Sequence, residues 1–245
     1  MSNTIQAILF WFKYALLLPT IVLQGKRLKQ NSVRLPEADG ARHYHFSEHG
    51  IELKHIGEST VAGVGVEHMK QGLTMQTVSA LQNIPDIYPS NIDIYGVNGI
   101  ALKPLLLQSH NWLNTKSTSS PCYIVTLGVN DTTGLTSIFD WSEGLMELIQ
   151  RVRGQAKNAK IIFTHVPDMK RFPALPWPLN QFLGDRSALL DKALRRICET
   201  NECHYVEADI KIEEAYMAED GYHPNAKGYE RWGKKIADVI CEAYQ

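Results

Sequence analysis

The sequence predicts an α/β protein built on a parallel β-sheet with helices on both faces. Three observations carry that reading. Short apolar runs recur at 51–56, 92–97, 123–127, 160–164 and 204–206. Segments of helical periodicity separate them, near 70–83, 101–114, 141–157 and 186–200, with a last one near 225–243. Strand and helix therefore alternate, as in right-handed parallel crossovers, and such sheets place ligands at the carboxyl ends of their strands. No internal repeat or low-complexity tract breaks the alternation.

Composition fits one globular unit. The chain has 245 residues, 44% hydrophobic and 21% charged, which argues against disorder and supplies enough length for a sizeable core. A net charge of −1 removes the electrostatic argument for a nucleic-acid partner. Cys122, Cys198, Cys203 and Cys241 form no CxxC pair, so neither a disulfide scaffold nor a zinc ribbon is indicated. They read as free thiols, although Cys198 and Cys203 are near enough in sequence to pair. His43, His45 and His49 have no cysteine or tight carboxylate set beside them. Neither a metal nor a cofactor is expected.

Residues 1–30 are the first element of the chain to justify. Ile5 to Leu23 is a 19-residue stretch with 15 apolar side chains. As one helix it would approach the ~30 Å hydrocarbon thickness of a bilayer. Lys13 near its middle and Pro19 near its end count against a clean span. Lys26, Arg27, Lys29 and Arg34 follow, with no acid until Glu37, and would sit among anionic headgroups. A cleaved signal peptide fits poorly, because the uncharged start and the absence of a small-x-small site after Leu23 do not match one. The expectation is a membrane-associating segment over 1–30, spanning or interfacial, a linker over 31–50, and a catalytic domain over 51–245 that the basic cluster would hold on the cytoplasmic side. The alternative is an apolar helix packed on the protein's own core, in a soluble cytoplasmic protein.

The first strand runs into Gly57-Glu58-Ser59-Thr60-Val61-Ala62-Gly63-Val64-Gly65. A P-loop fails there on Ala62, a dinucleotide-binding turn on His68 and a GxSxG nucleophile elbow on Val61. What remains is Ser59 on a turn after a buried strand, either a helix cap or a nucleophile in need of a base. Asp220-Gly221-Tyr222-His223-Pro224 offers that base, with a carboxylate three residues from an imidazole. The third strand ends in Gly128-Val129-Asn130-Asp131 and the second in Gly96-Val97-Asn98-Gly99, so an amide side chain and a glycine N–H reach the same sheet edge. Asn130-Asp131 also reads as an Asx turn, and Glu58 as a solvent-facing turn residue.

At these residues the chain resembles the SGNH (GDSL-type) hydrolases. Gly57-Glu58-Ser59, Gly99, Gly128-Val129-Asn130-Asp131 and Asp220 to Pro224 look like the family's four blocks, in order, from 57 to 224. The resemblance implies a three-layer α/β/α sandwich with five parallel strands, flavodoxin-like, and ester chemistry without a metal. It implies Ser59, Asp220 and His223 as catalytic residues, and Ser59, Gly99 and Asn130 as oxyanion-hole donors. One residue departs from the pattern, since Glu58 stands where the family usually has Asp. The implied reaction is hydrolysis of a small-molecule or lipid-like ester through an acyl-serine. Acyl transfer or thioester hydrolysis on the same site, and a non-catalytic acyl-binding module of the same fold, stay open beside it.

His165 and Asp168 read as walls of the site. Between Pro167 and Asp185 lie four prolines interleaved with Phe172, Trp177 and Phe182. Prolines exclude a regular helix, and an aromatic loop at the ligand edge is expected to line an acyl pocket through Phe172 or Trp177. A packed connection is the alternative.

Overall fold

The computed structural model describes residues 10–31, 33–82, 84, 87–113, 120–207 and 212–245. Within them the chain forms a sheet of six strands: β1 His43–His45, β2 Ile51–Gly57, β3 Pro89–Gly96, β4 Cys122–Thr126, β5 Lys160–Thr164 and β6 His204–Val206. The sheet order is β1-β3-β2-β4-β5-β6. The last five are parallel, and β1 pairs antiparallel with β3 at the edge.

Alternation along the strands explains both apolar faces. In β4, Cys122 and Ile124 join the core on one side, with Leu53, Ile92 and Ile162. Tyr123 and Val125 point the other way, with Ile56, Ile161 and Phe163. A strand buried on both faces reads as a continuous apolar run, which is why these strands are visible in the sequence. Helices α2 (Leu73–Ala80) and α7 (Ala226–Ala243) cover the first face through Leu73, Val78, Tyr229, Trp232 and Ile236. Helices α3 (Leu102–Leu107), α5 (Ile138–Gln155) and α6 (Leu179–Thr200) cover the second through Leu105, Trp141, Leu148 and Leu190. Between α3 and α5, Val129–Thr133 makes the single-turn helix α4.

Three expectations change. First, the polar stretch 31–50 is not only a linker, because it contains β1. Its three residues have no buried side chain, so no hydrophobic signal marks them. Backbone pairing holds them on β3, with His43 Nδ1 2.7 Å from Asp93 and His45 Nδ1 2.8 Å from Asn91.

Second, the apolar N-terminal segment is not one continuous helix. Residues 10–14 are helical, 15–17 form a turn, and α1 then runs from Leu18 to Asn31. A proline ring at position 19 clashes with the carbonyl four residues earlier, so helix 10–14 cannot run through it. Among the described residues no helix is long and apolar enough to cross a membrane; residues 5–9 lie outside them.

Third, α6 starts seven residues before its expected beginning. Pro178 is the last of the four prolines and immediately precedes it, and no proline after it opposes a helix.

Candidate active site

The sheet order places β2 between β3 and β4, where successive crossovers leave in opposite directions. The crevice outside the carboxyl ends of the strands at such a switch point is the general ligand site of open α/β sheets. Ser59 follows β2, Gly99 follows β3 and Asn130 follows β4, so one edge of the sheet collects all three.

Ser59 caps no helix. Its turn is closed by Val61 N–H and Ala62 N–H donating to Glu58 O and by Val64 N–H donating to Ser59 O, at 2.9, 3.1 and 3.0 Å. The next helical element begins only at Met69. The serine is 7% exposed, and its Oγ lies 2.8 Å from His223 Nε2. The other ring nitrogen, Nδ1, lies 2.6 Å from Asp220 Oδ2. The second Asp220 oxygen accepts the backbone N–H groups of Tyr222 (2.9 Å) and His223 (3.0 Å). Burial pushes the Asp220 carboxyl up, but the imidazole and these two N–H groups outweigh it, and the net result lies below the ordinary value. Asp220 therefore presents a carboxylate oxygen to Nδ1.

Two features of the sequence bring the His223 loop to Ser59. Gly65 has φ +102°, and a Cβ there would lie 2.3 Å from the Pro224 carbonyl, so only glycine permits this approach. Asn225 then caps α7, accepting from Lys227 N–H and Gly228 N–H at 3.0 and 3.1 Å. Its Nδ2 donates to Ala215 O and Met217 O at 3.0 and 3.1 Å, tying the loop from both ends.

Glu58 is buried at 2% exposure, contrary to the solvent-facing reading. Its carboxylate spans from the end of β2 to the start of α4. Oε1 accepts Val129 N–H at 3.1 Å; Oε2 accepts the backbone and side-chain N–H groups of Asn130 at 3.0 and 2.6 Å. An acceptor at a helix start is favourable both for the unpaired N–H groups and for the peptide dipoles. Burial nevertheless pushes the Glu58 carboxyl up to about 7, against the pull of the Asn130 and Val129 N–H groups. Asn130 Nδ2 also donates to Ile100 O at 3.1 Å, which brings it beside Gly99. Gly99 has φ +79° and open space where a side chain would stand. Gly128 likewise has a positive φ, +128°, and a Cβ there would meet Val166 at 2.6 Å. Asp131 turns into the core and accepts Leu102 N–H at 3.0 Å and the Thr136 hydroxyl at 2.9 Å, so its role is structural.

A cleft of about 370 Å³ opens beside His223, lined by Val33, Arg34, Leu35, Asn98, Asp220 and Tyr222. That volume lies in the range of small-molecule sites. A smaller apolar cavity behind Glu58 is lined by Phe172, Leu127, Met217 and Tyr222, among others, and measures about 30 Å³. It has room for a water or two and would take an acyl chain only by displacing side chains. Phe172 is buried there, edge-on to Tyr222 at 5.9 Å. Trp177 stands 68% exposed, beside α1. His165 lines the small cavity and Asp168 caps the turn Met169–Arg171.

A sequence model described as the GDSL-like lipase/acylhydrolase family matches residues 55–231. The chain belongs to that family. Comparison with curated proteins finds no match. Among solved structures, a G-D-S-L family lipolytic protein from Veillonella parvula is 16% identical, covers 78% of this chain and 98% of its own, and superposes with a TM-score of 0.61. The psychrotrophic esterase EstA from Pseudoalteromonas sp. is 17% identical over 78% and 97%, with a TM-score of 0.60. An α/β hydrolase enzyme from the metagenome of Lake Arreo, Spain, is 20% identical over 81% and 96%, with a TM-score of 0.57. At these identities they show that the GDSL-like chain shares the fold.

Sequence reading overlooked Gly65, Asn225 and the inward position of Glu58. The signal for Gly65 is a second glycine two residues after Gly63, a spacing that also suits the start of a nucleotide-binding turn. Asn225 directly precedes a helical pattern, the usual place of a cap.

Proposed function

We propose that this GDSL-like chain hydrolyses carboxylic esters through an acyl-serine intermediate on Ser59. The observation that carries the reading is the unbroken relay from Ser59 Oγ through the imidazole of His223 to Asp220, at 2.8 and 2.6 Å. Asp220 holds the proton on Nδ1, leaving the Nε2 lone pair to take the serine proton. The Ser59 oxygen bonds to the ester carbon, and the carbonyl oxygen becomes an anion. The backbone N–H groups of Ser59 and Gly99 and the Asn130 amide are assigned to that anion. The amide proton now directed at Ile100 O, the longer of the two contacts, turns to it. Collapse returns the proton from Nε2 to the leaving alkoxide. Water, deprotonated by the same nitrogen, then cleaves the acyl-serine and restores the hydroxyl.

The substrate is assigned as a lipid-like or small-molecule ester that enters by the cleft lined by Val33, Leu35 and Tyr222. Phe172, in the small cavity that shares Tyr222 with this cleft, is assigned as an apolar contact reached when side chains are displaced, and Trp177, which lines neither space, as a contact for the part of a long ester that extends beyond the cleft.

Fluorophosphonate labelling read by peptide mass spectrometry tests the reading. The Pseudoalteromonas esterase of the same fold is inhibited by monoethylphosphonate, a related class of reagent. The label is expected on Ser59 and is expected to vanish in Ser59→Ala, with turnover falling about 10⁴–10⁶-fold. A folded wild type that takes no label would make the chain a binding module.

A further inference from the structure

We propose that residues 10–31 and 33–35 form a docking surface for an anionic phospholipid bilayer, on which the protein lies without crossing it. The inner side of this segment is already used. Phe10, Tyr14 and Ile21 are buried in a cluster with Leu175, Leu179 and Phe182. The Phe10 and Tyr14 rings lie 5.0 and 5.1 Å from Phe182. The Tyr14 hydroxyl donates to Asp185 at 2.7 Å, and Lys13 pairs with the same carboxylate. Gln24 donates to Trp177 O at 2.7 Å and accepts Leu179 N–H at 3.2 Å. The segment is thus fastened along α6, an arrangement that a spanning helix could not keep.

Among the described residues the outer side carries exposed apolar side chains. Phe12 and Leu16 are 83% and 95% exposed, and Val22 and Leu23 follow on the outward side of α1. Of the 12 large apolar side chains exposed among the described residues, six lie between Trp11 and Val33, and Trp177 beside α1 makes a seventh. Apolar side chains gathered in this way mark a contact surface.

Charge decides the partner. Lys26 and Arg27 lie four residues after Val22 and Leu23, on the same outward side of α1. Up to Leu35 the chain has five basic and no acidic side chains, whereas the remainder has 20 basic and 26 acidic. Positive charge is therefore concentrated where apolar side chains are exposed. A second copy meeting this surface through a two-fold axis would bring like charges together. A bilayer with anionic headgroups offers both an apolar layer and the opposite charge. The surface also ends at the site, since Val33, Arg34 and Leu35 line the cleft beside His223.

Flotation of the full chain with vesicles tests this, independently of the ester-hydrolase reading. The probes are vesicles of phosphatidylcholine with about one third phosphatidylglycerol, and of phosphatidylcholine alone. Strong binding is expected only to the anionic vesicles and is expected to weaken at high salt. Each basic side chain contributes about fivefold to partitioning, so Lys26→Glu with Arg27→Glu is expected to weaken binding at least 20-fold. Phe12→Ser with Leu16→Ser is expected to weaken it as well. Both pairs are exposed, so circular dichroism and thermal unfolding should be unchanged and report that each variant is folded, whether or not Ser59 is a nucleophile. Equal binding to both vesicle types, binding unaffected by either pair, or no binding by a chain that dimerises through this surface would overturn the proposal.

Discussion

The Glu58 carboxylate and the Asn130 side-chain amide are bound to each other at 2.6 Å beneath the turn that carries Ser59. Glu58 is one methylene longer than the Asp usual at this place. The extra reach lets one side chain leave β2 and meet two backbone N–H groups of α4 together with the Asn130 amide. The orientation of the Asn130 side chain is set by Glu58 and by the Ile100 carbonyl.

If Asn130 works only where Glu58 holds it, removing either side chain removes the same stabilisation. Asn130→Ala is expected to lower turnover about 10²–10³-fold, the usual loss for one oxyanion donor. Glu58→Ala should cost a similar factor, and the double variant little more than either alone. A double-mutant cycle on turnover reads this directly. Multiplying losses would show that Glu58 acts on something other than Asn130.

Glu58 also predicts a pH dependence of stability. Burial raises its carboxyl from an ordinary 4.5 to about 7. A group raised on folding contributes stability that is complete below its unfolded value and is lost as pH rises through the folded one. Urea unfolding of wild type and Glu58→Gln at pH 5 and pH 8 is the measurement. Wild type should lose ~2–3 kcal/mol more than the variant between the two, from a shift of that size. Equal losses would mean that the three N–H donors keep Glu58 ionised throughout.

Legibility in the sequence followed burial. β2, β4 and β5 are buried almost throughout and β3 alternates buried with half-buried residues, so these strands stand out in the sequence; β1, with no buried side chain, does not. The place of Ser59, Gly99 and Asn130 at one sheet edge is legible because each follows a strand, and the pairing of Asp220 with His223 because of their spacing on a turn. The direction of Glu58 was not, since a carboxylate in a turn is ordinarily solvated, and only the N–H groups of α4, 71 and 72 residues away, draw it inward. Gly65 is marked in the sequence only as a second glycine close to Gly63, and the reason for it is equally remote, because what forbids a side chain there is the carbonyl of Pro224. Long-range contacts of this kind leave no local period.

Asn225 holds the His223 loop through two N–H groups of α7 and two carbonyls of the loop. Asn225→Ala should cost ~1–2 kcal/mol as the loss of a helix cap. It should also lower turnover, by loosening the 2.8 Å contact between His223 and Ser59. Asn225→Asp keeps the cap but loses the two donors to Ala215 and Met217. Stability restored without turnover would separate the two roles, whereas recovery of both in the Asp variant would reduce Asn225 to a cap.

Asp220→Asn gives the sharpest test of the relay. Oδ1 of Asp220 accepts two backbone N–H groups, and only an oxygen can stay there. The new amide nitrogen must therefore face His223 Nδ1, where its N–H donates a hydrogen bond to the unprotonated ring nitrogen. The imidazole then carries its own proton on Nε2, pointing at Ser59, and cannot take one from it. Turnover at neutral pH is expected to fall about 10⁴-fold with the fold intact, the loss known for the wrong tautomer in serine hydrolases. Fluorophosphonate labelling of Ser59 should slow in parallel, because it needs the same proton transfer. Labelling at the wild-type rate would show that Ser59 is activated by some group other than the Asp220–His223 pair.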